Sequence, residues 1–281
     1  MRIGLVVNHS KPLASAFVPD FVQWLAAQGC RPLLADTAAR ALRIRAFAVA
    51  ERHLVSRTDL VVAIGGDGTL LRAARLVGAR ETPIMGINVG GLGFLTEFSL
   101  QEARDGILQF RRGRHVEEHR MLLKCRCGKR TGYVLNDCAL NMGASGRVIE
   151  VLVHSDRLFV NRFVGDGIVI ATPTGSTAYS LAAGGPVVHP TMQAILLTPL
   201  CPHALAARPV ILPGDAKVQL ELAPGSEAAT LNLDGQTRWP VQPGRPVVLS
   251  RARFCVRLVT PQNKTCFQIL RDKLKWSGSP V

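Results

Sequence analysis

Residues 59–77 constrain the fold more than any other stretch of this 281-residue chain. Leu60 to Ile64 is a continuous apolar run, the pattern of a parallel strand covered on both faces. It breaks on Gly65-Gly66, after which Leu70, Leu71, Ala74 and Val77 fall at helical spacing. A strand, a glycine break and a helix in that order belong to an open α/β sheet. The break then lies at the carboxyl end of the strand, where such sheets bind ligands. Two glycines let backbone amides approach a phosphate closely, and the helix amino end attracts negative charge. Asp67 falls in the middle of the predicted turn. A carboxylate facing phosphates has two uses, to hold a magnesium ion or to take a proton from an attacking hydroxyl. Both belong to phosphoryl-transfer chemistry.

The chain around this element alternates strand and helix. Ile3 to Val7 reads as a buried strand, and Ala14, Phe17, Val18, Phe21, Val22 and Leu25 share one face of a helix that Gly29 ends. Pro32–Ala35 is a second strand, and Pro83–Asn88 another that runs into the turn Gly90-Gly91-Leu92-Gly93. Ser99 and Glu102 have capping-box spacing before a helix reaching about Phe110. This order predicts a parallel, doubly wound sheet. After about residue 116, short alternating segments such as 148–154 and 217–222 are divided by Pro213-Gly214, Pro224-Gly225 and Pro243-Gly244, which predicts a mostly antiparallel β domain. The tail turns helical again, with Phe267, Leu270 and Leu274 on one face.

A hydrophobic content of 47% with 19% charged residues is that of a core-forming globular chain. No apolar stretch reaches the length of a bilayer span, and Met1-Arg2-Ile3-Gly4 enters a strand without a signal-peptide pattern. Seven scattered cysteines suggest no disulfide framework, so a reducing cytoplasm is expected. The net charge of +14 calls for an anionic partner. Its clusters, Arg111, Arg112 and Arg114, then Lys124, Arg126, Lys129 and Arg130, suit nucleic acid, nucleotide polyphosphates or a plain solvated face. No aromatic is interleaved with them as a base-stacking platform requires, which disfavours nucleic acid.

Two further elements carry polar chemistry. From Asp166 to Ser180 a strand ends in a dense set of hydroxyls and glycines, which either present donors and acceptors to a polar ligand or satisfy their own backbone. Asn136-Asp137 follows a strand-like segment; the pair can grip a ribose diol and a base edge, or form an Asx turn. Asp234-Gly235-Gln236 is a hairpin signal. No Walker A loop occurs, and no Gly-x-Gly-x-x-Gly follows the first strand. Cys125 and Cys127 lack a partner pair at zinc spacing, and Ser176 lacks a nucleophile-elbow context.

Taken in order, Gly65-Gly66-Asp67-Gly68-Thr69, Asn136-Asp137, the run Asp166–Ser180 followed by Gly184-Gly185-Pro186, Pro202-His203, Arg208-Pro209, Asp234-Gly235-Gln236 and the tail from Phe267 to Trp276 resemble the ATP-dependent NAD kinases, particularly the bacterial type. The resemblance spans nearly the whole chain. It implies a Rossmann-like domain, residues 1–116 plus about 267–281, and a β-rich domain, 117–266, that binds NAD. The implied reaction moves the γ-phosphoryl group of ATP to the 2′-hydroxyl of the adenosine ribose of NAD. By analogy Asp67 is the proton acceptor, with Gly68 beside it. Asn136, Asp137, Arg147, Asp166, Thr177, Ala178, Tyr179, Ser180, Leu181, Ala182 and Gln236 would line the NAD pocket. Gly65, Gly66, Gly68 and Thr69 would face the phosphates of ATP, with Arg72 on the first helical turn either a further phosphate contact or a surface arginine; the phosphates would carry a divalent ion, most simply Mg2+, with no protein side chain assigned as its direct ligand. The family also implies a homodimer or homotetramer, with no nucleic-acid or membrane partner. The family usually has Asn-Glu where this chain has Asn136-Asp137, which shortens the acid's reach, and Val164 leaves the choice between NAD and NADH open. Lipid or sugar-phosphate kinases with the same glycine–aspartate turn are the nearest rivals but lack the run Thr172–Tyr179. A non-catalytic NAD sensor has no need for an acid pointing at phosphate.

Overall fold

The computed structural model describes residues 1–56, 58–91, 93–143 and 146–276. The chain divides into two compact units, Met1–His119 with Val256–Val281, and Arg120–Cys255.

In chain order the first unit contains β1 (Arg2–Val7), α1 (Pro12–Ala27), β2 (Arg31–Ala35), α2 (Asp36–Ala41), β3 (Ala48–Val49), α3 (Glu51–Leu54), β4 (Leu60–Gly65), α4 (Asp67–Val77), β5 (Ile84–Asn88) and α5 (Ala103–Arg111). The strands pair in parallel in the order β3-β2-β1-β4-β5. From β1 the chain winds outward through β2 and β3, then returns to β4 on the other side of β1. The carboxyl ends of β1 and β4 therefore form the switch point of the sheet, the place where open α/β sheets leave a crevice. β4 is buried at every residue, as its unbroken apolar run requires. α1 buries the predicted face, Ala14, Val18, Phe21, Val22 and Leu25. Phe21, fully buried, stacks on Phe17 at 4.9 Å and Trp24 at 5.8 Å. Ser99 Oγ accepts from Glu102 N–H while Glu102 Oε2 accepts from Ser99 N–H, so the predicted reciprocal pair forms, but it closes the turn ahead of α5, which starts only at Ala103.

The second unit is a β-sandwich. β6 (Val116–Cys127) and β7 (Arg130–Val134) form a hairpin; β8 (Asp137–Asn141), β9 (Ile149–Ser155), β10 (Leu158–Gly165) and β11 (Gly167–Ala171) follow. After the short α6 (Tyr179–Ala182) come β12 (Ala194–Leu200), β13 (Val210–Pro213), β14 (Val218–Leu222), β15 (Ala229–Leu233), β16 (Thr237–Val241) and β17 (Val247–Thr260). One antiparallel sheet runs β13-β12-β11-β8-β15-β16. Against it packs the antiparallel group β10-β9-β14 with the first residues of β17. Alternate residues meet between them, Leu140, Ile168, Ile170 and Leu231 from one side, Val151, Val153, Leu220 and Leu249 from the other. Burying each such side chain contributes about 1.5–3 kcal/mol before entropy.

The chain passes between the units inside β6 and inside β17, two continuous strands that leave no linker signature in composition. The return to the first unit begins at Val256 because Leu258 and Val259 pair in parallel with Ile84 and Met85. It thus starts upstream of residue 267, the approximate start read from the helical tail. α7 (Cys266–Leu274) completes the unit, opened by a Thr265–Gln268 capping box. Residues 277–281 of the predicted tail lie outside the described residues, as does Leu92 of the glycine turn.

Candidate active site

α4 begins at Asp67, and Gly66 before it is extended (φ −147°, ψ −171°). Asp67 is therefore the first residue of the helix rather than the middle of the turn. Gly65 has no room for a side chain, since a Cβ there would stand 2.8 Å from Cβ of Thr69. The Asp67 carboxylate does not cap its own helix. It reaches across to the segment after the glycine turn, where Phe94 N–H donates to Oδ2 at 2.9 Å. Leu95 N–H, Thr96 N–H and Thr96 Oγ1 each donate to Oδ1 at 3.1 Å. Gly93 makes this approach possible: a Cβ there would fall 2.8 Å from Cγ of Asp67. Oδ1 is thus saturated, whereas Oδ2 accepts one bond and keeps a second lone pair. The carboxylate is held rigidly with one acceptor position open.

A hollow of about 490 Å3 lies beside it, lined by Asn8, Ser10 and Lys11 from the loop after β1 and by Gly66, Asp67 and Arg72. The loop is shaped by Asn8 Oδ1, which accepts from Ser10 Oγ at 2.6 Å and Ser10 N–H at 3.3 Å. Lys11 Nζ stands over the glycines, 3.4 Å from where a Cβ on Gly66 would lie and 3.8 Å from one on Gly90. Among the described residues it has no ion-pair partner. Arg72, the cation picked out in the sequence, lines the same hollow but is ion-paired with Glu51.

The second unit carries a polar cluster of its own. Asp234, in the left-handed region at φ 48°, accepts from Leu135 N–H on Oδ2 and from Asn136 and Asp137 N–H on Oδ1, at 2.9–3.1 Å. This clamp turns the chain into β8 and aims Asn136. The side-chain Oδ1 of Asn136 and the Oγ1 of Thr174 are both buried with no hydrogen-bond partner. Orphaned buried acceptors are uncommon in folded proteins and mark places where a ligand supplies the missing donor. Asn136 and Gly175 touch, since a Cβ on Gly175 would stand 2.7 Å from Cα of Asn136. Burial, first, and the Asp234 carboxylate push Asp137 up to about 7, against the lowering effect of the Tyr179 N–H.

The other predicted residues divide by role. Thr177 and Ala178 lead into α6 and Leu181 lies within it, all half-buried; Ala182, its last residue, is exposed, and Tyr179 presents 43% of its surface. Ser180 is fully buried and bonded to Thr198 Oγ1 at 2.8 Å, so it fixes the turn. Thr172 Oγ1 donates to Leu135 O at 2.5 Å and accepts from Gly175 N–H, and Ser176 Oγ bonds Pro173 O and Val188 N–H. Most hydroxyls of the run thus satisfy backbone, and Thr174 is the exception. Arg147 is exposed and paired with Glu227, Asp166 is half-buried, and Gln236 is exposed in the β15–β16 turn.

The ATP-NAD kinase N-terminal domain model matches residues 3–114, and the ATP-NAD kinase C-terminal domain model matches residues 135–260. The chain belongs to the ATP-NAD kinase family. It is an enzyme of the kinase type that phosphorylates NAD. It is 40% identical over 283 residues to the NAD kinase of Moorella thermoacetica, covering 99% of this chain and 90% of that one. Over 280 residues it is 37% identical to the NAD kinase of Geotalea daltonii, covering 98% of each. The crystal structure of yeast NADH kinase complexed with NADH superposes with a TM-score of 0.92 at 26% identity, covering 100% of this chain and 89% of that one. An NAD kinase from Archaeoglobus fulgidus in complex with ATP gives 0.76 at 25% identity, covering 99% and 100%.

Sequence reading of this ATP-NAD kinase missed the loop Asn8–Lys11 and the segment Phe94–Thr96. A signal for the first existed: Ser10-Lys11-Pro12 follows the first strand, and a doubly wound order puts that strand beside β4. For Asp137 the titration gives a stability prediction. Its proton affinity is higher folded than unfolded, about 7 against 3.8, so the folded chain holds the extra proton between those values. Stability therefore falls as pH rises from about 4 through 7 and then levels off. Urea titrations at pH 5 and pH 8 should show this loss in the wild type and not in Asp137→Asn, with a ceiling of about 3 kcal/mol on the difference between the two pH values. Equal slopes in both proteins would refute it.

Proposed function

We propose that this chain makes NADP by phosphorylating the 2′-hydroxyl of the adenosine ribose of NAD with the γ-phosphoryl group of ATP, and that Asp67 accepts the proton of that hydroxyl. The observation that carries the residue-level reading is the Asp67 carboxylate, fixed by three backbone amides with one Oδ2 lone pair left beside a hollow that suits phosphates. Phosphoryl transfer needs little covalent help from the protein, chiefly positioning and charge stabilisation. Lys11, the Gly65-Gly66 turn and the amino end of α4 would hold the donor phosphates, with Thr69 buried behind the turn and Gly68 leaving the approach to Asp67 unobstructed.

Asn136 and Thr174 offer acceptors, and ionised Asp137 offers another, to the ribose and base of NAD. Tyr179, Thr177, Ala178, Leu181, Ala182, Asp166, Arg147 and Gln236 complete that pocket in this reading, with Ser180 supporting it from inside. Because the ionised carboxylate of Asp137 is a stronger acceptor for a ribose hydroxyl than the protonated acid, NAD affinity rises as pH passes 7.

Magnesium would travel with ATP. An ion carried by ATP is held chiefly by phosphate oxygens and water. When bound, the ion neutralises charge on the transferring group. We also propose a homodimer or homotetramer and a cytoplasmic location. The free state of all seven cysteines supports a reducing compartment. No helix among the described residues is long and apolar enough to cross a membrane.

The direct test is NADP formation by the purified chain with ATP, NAD and magnesium; no product at saturation defeats the reading. Lys11→Ala is expected to lower kcat/KM for ATP by about 10- to 100-fold and to leave the KM for NAD within about threefold. Steady-state kinetics against each substrate separate the two, and an unchanged ATP dependence would remove Lys11 from the site.

A further inference from the structure

The second of the two basic clusters in the sequence is not absorbed by the phosphoryl-transfer site. The turn joining β6 to β7 and the turn joining β16 to β17 line one hollow of about 680 Å3 in the second unit. Arg126, Lys129 and Arg130 enter it from the first turn and Arg245 from the second. Among the described residues no carboxylate lines it. Among the described residues none of the four cations has an ion pair or a side-chain hydrogen bond, whereas Arg72, Arg104, Arg162 and Arg257 all have an acid. Both turns are tight and fix where the cations emerge. Cys127 pairs with Arg130 across a two-residue loop with Gly128 at φ 57°, and Arg245 N–H closes its turn on Gln242 O at 3.1 Å with Gly244 at φ 76°. Burial, and then the neighbouring Cys125, raise the pKa of the Cys127 thiol, while the charges of Arg130 and Arg245 oppose that rise, so both cations act on the floor of the same hollow.

Four like charges lining one hollow without a counter-charge among the described residues raise one another's energy, and a bound polyanion relieves that repulsion. We propose that this hollow is a second anion site, separate from the donor site, for a small phosphate-rich anion of several negative charges. Inorganic oligophosphate and the phosphate tail of a nucleotide are the two sources of that chemistry. Pro240, Pro246 and Val248 supply its apolar wall, and no aromatic side chain is present to stack bases, so the recognised part is phosphate.

The test is calorimetric titration of inorganic tripolyphosphate into the full chain at about 0.1 M salt, where exposed charges more than about 10 Å apart are screened. The double variant Arg130→Ala/Arg245→Ala is expected to lose a saturable binding component by about tenfold or more while keeping its Tm and its KM for ATP. Arg112→Ala/Arg114→Ala, an equal loss of exposed charge in the first unit, should retain that component. Displacement of the component by a non-hydrolysable ATP analogue assigns the nucleotide as source, and failure to displace it assigns inorganic oligophosphate. Three results would overturn the proposal. They are wild-type binding by the first variant, equal weakening by the second, and a KM for ATP that rises in step with the loss.

Discussion

Asp67→Asn is expected to lower kcat for NADP formation by about 10³-fold, within the range general-base removal produces, while the KM for NAD stays within about fivefold. The amide oxygen of Asn can still accept from Leu95 and Thr96. Its NH2 would face the Phe94 N–H that now donates to Oδ2 at 2.9 Å, so two donors oppose each other and the open acceptor position is lost. Thermal unfolding of the variant separates the chemical effect from the local one. A Tm within a few degrees with the full loss of kcat supports proton acceptance, and a kcat within tenfold of the wild type would remove Asp67 from that role. Asp67→Ala goes further, because three amides and the Thr96 hydroxyl then lose their acceptor, and it should lower stability as well.

Asp234→Ala is expected to be the most damaging change in the second unit. Three backbone N–H groups, of Leu135, Asn136 and Asp137, lose their acceptor at once. Each unsatisfied buried donor costs about 1–3 kcal/mol. Asp234 is half-exposed, so water replaces part of the loss, and about 3 kcal/mol in all is the expected destabilisation. The KM for NAD should rise by about tenfold or more, because the clamp aims Asn136. Removing the neighbouring carboxylate also lowers the proton affinity of Asp137, so the pH at which NAD affinity rises should move below 7. Asp234→Asn retains an acceptor oxygen and should lie between the two. Denaturant unfolding and KM against pH report the two effects, and an unmoved pH profile would show that burial alone sets the titration of Asp137.

Both residues use one device, an acid from one element accepting a run of amides from another, and it explains what the sequence did not disclose. Asp67 was legible as a candidate functional acid because two glycines and a carboxylate between an apolar strand and an amphipathic helix exceed what a turn needs. Its partners at 94–96 were invisible, since backbone amides carry no residue identity. Asp234 read as an ordinary Asp-Gly hairpin, which it also is: Leu233 pairs with Thr237 across it. The hydroxyl-rich run divided between the two uses open to it. Ser176, Ser180 and Thr172 satisfy the fold, and Thr174 does not.

The sequence by itself determined the element types, the parallel-then-antiparallel succession of sheets, the glycine turn and its acid, and the family. Those follow from periodicity and from local backbone demands, which act over a few residues. Only the tertiary structure decided that, among the described residues, Lys11 stands over the glycines without an ion-pair partner while Arg72 is paired, that the chain passes between the units inside β6 and β17, and that Arg245 joins Arg126, Lys129 and Arg130. Each of these depends on which distant segments become neighbours. An ion pair such as Arg72–Glu51 and a strand pairing such as Leu258–Ile84 are set by packing and leave no local pattern in either partner.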